Sequence, residues 1–275
     1  MFMLPQPEEY EKIEGCPVVH LSDGKRELGV LLGALYEGHK FYRSGNMLTM
    51  PEVSALLRLG TKYQVDHARD EAISRLQHCF PSTLVDFPAR NVYLQDPGWA
   101  LTSCIHLRKK DAIGVVNLAR AFDLDFLLPP AFYLCAQLDY DELVDGVSDD
   151  CGGTMRLSPH DLKICLKGRS LLTKADLRSL QPLFFPQSGA KCQTQEACVD
   201  IKREIVQELW YENLANPNAL VTQWLRSYVE GPGRDRPLCA VCVEELMEAY
   251  ERQTQNTWDA LGKYFQVPLW PIPPS

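Results

Sequence analysis

The sequence predicts a mainly α protein. It has α+β character in its amino-terminal part, with one or two short strands, and an all-helical domain in its carboxy-terminal part. Three observations lead there. Between Leu28 and Leu76, apolar residues recur at helical spacing in three successive segments. Before them stands a single short run with β-branched residues, Cys16-Pro17-Val18-Val19-His20-Leu21, which reads as a strand. From Asp111 onward every periodic segment reads as a helix.

The elements follow in order. Leu28, Leu31, Leu32, Leu35 and Tyr36 fall at i, i+3, i+4, i+7 and i+8, the pattern of one buried stripe. Ser22 and Asp23 offer cap oxygens at its start, and Gly38 stands where a helix commonly ends. Thr49, Pro51 and Glu52 open the next helix in a capping-box pattern, with Val53, Leu56 and Leu57 as its stripe. A break at Gly60-Thr61 separates a third helix, whose inward residues are Val65, Ala68, Ala72, Ile73 and Leu76. Pro81 stops it after Cys79-Phe80.

Periodicity disappears between Pro88 and Thr102, where Asn91, Gln95, Asp96, Pro97 and Gly98 accumulate. This divides the chain into a domain over 1–87, a linker over 88–110 and a helical domain over 111–275. In the last, helices are expected over 111–128, 131–138, from Ser158 onward, 198–215 and 237–264, with an amphipathic piece around 219–228. Ser158 and Asp161 have the spacing of an N-cap and its acidic N3 residue. The tail Pro268-Leu269-Trp270-Pro271-Ile272-Pro273-Pro274 reads as extended polyproline-like chain at a packed or frayed end.

Composition narrows the function. The 275 residues are 45% hydrophobic and 23% charged, as in a folded protein, and carry a net charge of −8. That acidic balance argues against nucleic acid and anionic membranes as partners, since both need a basic surface. The local run Arg108-Lys109-Lys110 precedes Asp111 and reads as a solvated helix start. Met1 to Leu4 is apolar but stops at Pro5 without a basic start, so no secretory signal is read. The apolar window 115–134 is interrupted by Arg120, Asp123, Asp125 and Pro129-Pro130, so no span is read either. An intracellular chain, cytoplasmic or nuclear, is expected, with its ten cysteines reduced or metal-bound.

The cluster with chemical potential is Cys192-x5-Cys198 with Cys239-x2-Cys242. Four thiolates can hold zinc tetrahedrally, and a CxxC places two sulfurs on one side of the ion. The second pair has that spacing; the first is wider than the usual two to four residues. Two other readings stand beside structural zinc. The cysteines can simply pack as small buried hydrophobes, or Cys239 and Cys242 can form a redox pair, although no strand–helix context for one surrounds them. The six histidines do not assemble. No GxSxG, HExxH, P-loop or strand-borne GxGxxG is present, and acidic neighbours such as Glu244-Glu245 do not face each other on a helix. No catalytic residues are assigned and no enzyme is expected.

Val18-Val19-His20-Leu21-Ser22-Asp23, the helix ending Leu35-Tyr36-Glu37-Gly38, the segments Leu56 to Tyr63 and Asp66 to Leu76, and Phe80-Pro81-Ser82-Thr83-Leu84 together resemble the carboxy-terminal two thirds of a BTB/POZ domain. They are most similar to the large set of such proteins in mushroom-forming fungi. The likeness continues through Ala119-Arg120, Leu127-Leu128-Pro129 and Tyr133-Leu134-Cys135. It implies a non-enzymatic protein-interaction protein, an adaptor or regulator, whose partners are cullin-type scaffolds or transcriptional regulators. Family geometry would place partner contacts at Glu27, Tyr36, Glu37 and His39. The first strand pair and two helices of that domain, which supply most of its dimer interface, have no counterpart before Cys16. A truncated BTB/POZ-like domain is therefore expected, without the family's means of homodimerisation. The alternatives are a shortened product with no independent function, or a cysteine- and zinc-dependent protein of another kind.

Overall fold

The computed structural model describes residues 11–38, 46–87, 104–149, 152–187, 191–211, 217–220, 223–230 and 237–270. The chain is mainly helical, as expected, with a few two-residue strands. β1 (Lys12–Ile13) pairs antiparallel with β2 (Cys16–Pro17) around Glu14 and Gly15, both at positive φ. The strand expected through Leu21 thus ends at Pro17. Val19 and Leu21 are exposed, because no further described strand lies alongside to give the alternation a face to bury.

α1 (Lys25–Tyr36) begins at Gly24 without a side-chain cap. Asp23, expected to cap it, instead accepts from Lys62 Nζ at 2.6 Å and from the Tyr63 hydroxyl. Those two partners hold its carboxyl below the usual carboxylate range. The apolar stripe of α1 is also only partly used. Leu31 and Ala34 are buried, whereas Leu32, Leu35 and Tyr36 are exposed. Among the described residues α1 packs chiefly against α2 (Met50–Lys62), and one main neighbour covers a narrower sector than the stripe subtends.

α2 opens on the expected capping box: Thr49 N–H donates to Glu52 Oε2 at 2.7 Å. It does not break at Gly60-Thr61 but runs to Lys62, and the turn comes at Gln64, at φ 57°. Gly60 serves packing instead. A Cβ there would lie 2.8 Å from Arg69 N in α3 (Asp66–Cys79), so the missing side chain lets the two helices approach.

β3 (Leu48–Thr49) pairs in parallel with β4 (Ile105–His106). Arg75 of α3, 7% exposed, braces this pair: Nη1 donates to Asn46 O at 2.7 Å and to Cys104 O at 2.8 Å, and Nε donates to Glu71 at 2.7 Å. The expected helix over 111–128 is two pieces, α4 (Asp111–Ala121) and a 3-10 turn (Asp125–Leu127), separated where Asp123 adopts φ 54°. α5 (Leu128–Cys135) carries Pro129 and Pro130 in its first turn, where missing N–H groups cost no helical bond. α6 (Tyr140–Asp145) leads to a hairpin of β5 (Val147–Ser148) and β6 (Thr154–Met155).

α7 (Pro159–Ser179) starts on Ser158, whose Oγ accepts from Asp161 N at 3.0 Å. α8 (Gln181–Phe184), α9 (Gln195–Tyr211), α10 (Gln223–Glu230), α11 (Ala240–Asp259) and α12 (Leu261–Tyr264) complete the described helices. No helix among the described residues is long and apolar enough to cross a membrane.

The apolar residues form two cores. The first unites α1 to α6 and most of α7 with Trp258, Phe265 and Trp270 from the far end of the chain. There Phe132 stacks on Phe265 at 5.4 Å, and Trp258 Nε1 donates to Ser82 O at 3.1 Å. The second core runs from Leu180 to Tyr250. Cores therefore do not divide at 88–110. Residues 88–103 lie outside the described residues, and Ile105 and Leu107 point into the first core as alternate residues of an extended segment. The tail is packed as far as Trp270, whose Nε1 donates to Trp258 O at 2.9 Å; residues 271–275 lie outside the described residues.

Candidate metal centre

Cys192 lies in the turn before α9, and Cys198 in that helix's first turn. Cys239 is the N-cap of α11, and Cys242 is its third residue. Two helix amino termini therefore converge with two thiols each. The partial positive charge at each terminus favours the thiolate form.

The four Sγ atoms all lie within 4.8 Å of one another, and Cys192 Sγ is 3.7 Å from Cys239 Sγ. A tetrahedral zinc with bonds of about 2.3 Å separates its sulfurs by about 3.8 Å, so the cluster has nearly the span of a filled site. Cys192, Cys198 and Cys242 are buried in the second core and Cys239 is half-buried. The x5 spacing that looked wide in sequence is taken up by bends at Gln193 and Thr194 before α9 begins.

The surroundings of Cys198 favour its deprotonation. Burial pushes the Cys198 thiol up, but a backbone hydrogen bond from Cys239, the Thr194 hydroxyl and the thiols of Cys239 and Cys192 outweigh it, bringing Cys198 down to about 7. Thr194 Oγ1 lies 3.3 Å from Cys198 Sγ and 4.0 Å from Cys192 Sγ. Elsewhere in the chain burial dominates: Cys165 is pushed up to about 12 although the Arg169 charge pulls the other way, and Cys135 is raised well above the ordinary thiol value. Cys198 moves the opposite way, toward the form a metal ligand needs.

No family model, curated protein or solved structure matches this chain.

The residues expected to meet a partner are scattered differently. Glu27 is half-buried in the first turn of α1, Tyr36 is 84% exposed at its last residue, and Glu37 is exposed just beyond. His39 lies outside the described residues. Beside them runs a groove of about 450 Å³ walled by Leu21, Leu28, Leu32, Leu35, Tyr63 and Val65. Sequence reasoning missed Thr194 as a support of the thiol cluster. Its signal was present, a hydroxyl residue midway between Cys192 and Cys198 and just ahead of the helix. It also missed the Asp23–Lys62–Tyr63 set at the rim of the groove, which had no local signature.

Proposed function

We propose that this is a non-enzymatic protein-interaction protein, an adaptor or regulator, whose carboxy-terminal core is organised by a structural Zn²⁺ held by Cys192, Cys198, Cys239 and Cys242. One observation carries the reading: four thiols from two helix amino termini converge with a zinc-like span. Four protein ligands fill the coordination of the ion, which leaves no position for a substrate and makes the centre a staple between α9 and α11. Partner contact falls to the uncovered face of α1, where Leu32, Leu35 and Tyr36 expose apolar surface beside Glu37. The BTB/POZ resemblance supplies the partner classes, a cullin-type scaffold or a transcriptional regulator.

Metal analysis with cysteine labelling tests the first half. Protein purified without chelator carries one zinc per chain, with these four cysteines protected from alkylation. Metal-free protein with fast-reacting thiols at these positions overturns the staple. A bait carrying Glu27→Ala, Tyr36→Ala, Glu37→Ala and His39→Ala tests the second half. It loses partners that the parent chain retains; capture of an unchanged set removes α1 as the contact surface.

A further inference from the structure

A second pair of thiols lies far from the metal centre. Cys79 Sγ and Cys104 Sγ are 3.7 Å apart, between residues 25 positions apart in the chain. Cys79 is the last residue of α3 and is buried; Cys104 immediately precedes β4 and is half-buried. The contact is held from several directions. The Cys104 carbonyl accepts from Arg75 Nη1 at 2.8 Å and from Leu48 N at 3.1 Å, and its thiol lies 3.8 Å from the Arg75 carbonyl. Cys104 is thus pinned along the last turn of α3, directly against Cys79.

The two thiols are unequal in a useful way. Cys104 is half-buried and Cys79 buried, so the first step of an exchange falls on the more exposed Cys104 and the second on its buried neighbour. Bonded sulfurs lie about 2.0 Å apart, so closure needs a movement of about 1.7 Å. Rotation of the two side chains about their Cα–Cβ bonds can supply that while the backbone stays held.

We infer that Cys79 and Cys104 form a reversible redox pair that takes a low-molecular-weight disulfide as oxidant and closes to an intramolecular disulfide bracing β4 against α3. The Cys104 thiolate attacks one sulfur of the reagent. The reagent's S–S bond breaks, and the departing thiolate takes up the proton that Cys104 released. The Cys79 thiolate then attacks Cys104 Sγ and expels the second reagent thiolate, which takes the Cys79 proton. Two protein thiols are oxidised and one reagent disulfide is reduced to two thiols. The pair does not depend on the zinc reading, because it shares no residue with the four ligands.

The test uses the full chain as purified, incubated with graded oxidised glutathione, unfolded, alkylated and mapped by mass spectrometry. A peptide linking Cys79 to Cys104 grows with oxidant and disappears with dithiothreitol. The oxidised chain has a higher unfolding midpoint, because the disulfide closes a loop in the unfolded state. In Cys79→Ser, glutathione remains trapped on Cys104. The inference fails if the parent chain accumulates glutathione on Cys104 without the link. It also fails if both thiols still alkylate at an oxidant level that fully modifies the exposed Cys16. Zinc content measured on the same samples separates this result from any change at the metal centre. Should Cys79→Ser not fold, the parent-chain map decides alone.

Discussion

Cys192 Sγ sits 3.7 Å from Cys239 Sγ, joining the turn before α9 to the N-cap of α11 across 47 positions of chain. Because three of the four clustered cysteines belong to the second core, the proposed zinc staple requires thiol removal and chelation to have the same structural effect there. Cys242→Ser, or a strong chelator acting on the parent chain, is expected to cost at least about 3 kcal/mol, a fall in midpoint on the order of 6–12 °C. Thermal unfolding with and without chelator measures it. A midpoint unchanged by chelator would count against the staple.

Gly60 and Arg69 set the distance between α2 and α3. A Cβ at residue 60 would meet Arg69 N at 2.8 Å and Arg69 Cα at 3.2 Å, both backbone atoms that cannot rotate away. Gly60→Ala is therefore expected to destabilise by about 1–3 kcal/mol, against the usual helical gain from that substitution. Chemical denaturation of the variant gives the sign directly, and stabilisation would show that α3 can yield.

Asp176 is buried in α7, its Oδ1 accepts no hydrogen bond among the described residues, and burial pushes its carboxyl up to about 7. A folded-state value above the unfolded one means that folding favours the protonated acid. Its destabilising effect is absent below about pH 4 and grows as pH rises toward about 7. Asp176→Asn should flatten that dependence and stabilise the protein above pH 7 by ~3 kcal/mol. Denaturation midpoints at pH 5 and pH 8 for both proteins test the sign.

Arg75 donates to two carbonyls and a carboxylate from a nearly buried position. Arg75→Ala leaves Glu71 and both carbonyls without that donor, at an expected cost of about 3 kcal/mol. Hydrogen exchange offers a local reading as well. The Leu48 amide, bonded to Cys104 O at 3.1 Å, should lose protection more than amides in the middle of α7.

Much of the fold was legible in local pattern. The Thr49–Glu52 capping box, the Ser158 cap, the prolines opening α5 and the stop after Cys79 rest on interactions within four residues, which sequence spacing specifies. The Cys239-x2-Cys242 half of the four-thiol cluster was legible for the same reason, since one helical turn brings those thiols together. Local pattern misled where a residue's use depends on a distant neighbour. Gly60 read as a breaker because nothing in its own segment announces the backbone of α3 against it. Asp23 read as a cap because Lys62 and Tyr63 lie some 40 positions away.

By itself, then, the sequence determined that the chain is mainly helical, where most helices start, and which cysteines are spaced to share an ion. Periodicity, capping and ligand spacing are short-range properties, and a single segment carries each of them. Only the tertiary structure decided which part of each apolar stripe is buried. It also decided that Trp258, Phe265 and Trp270 close the same core as α2 and α3, and that Cys79 meets Cys104. Those outcomes are contacts between segments far apart in the chain. They depend on how helices pack around a shared core, and no local spacing encodes that.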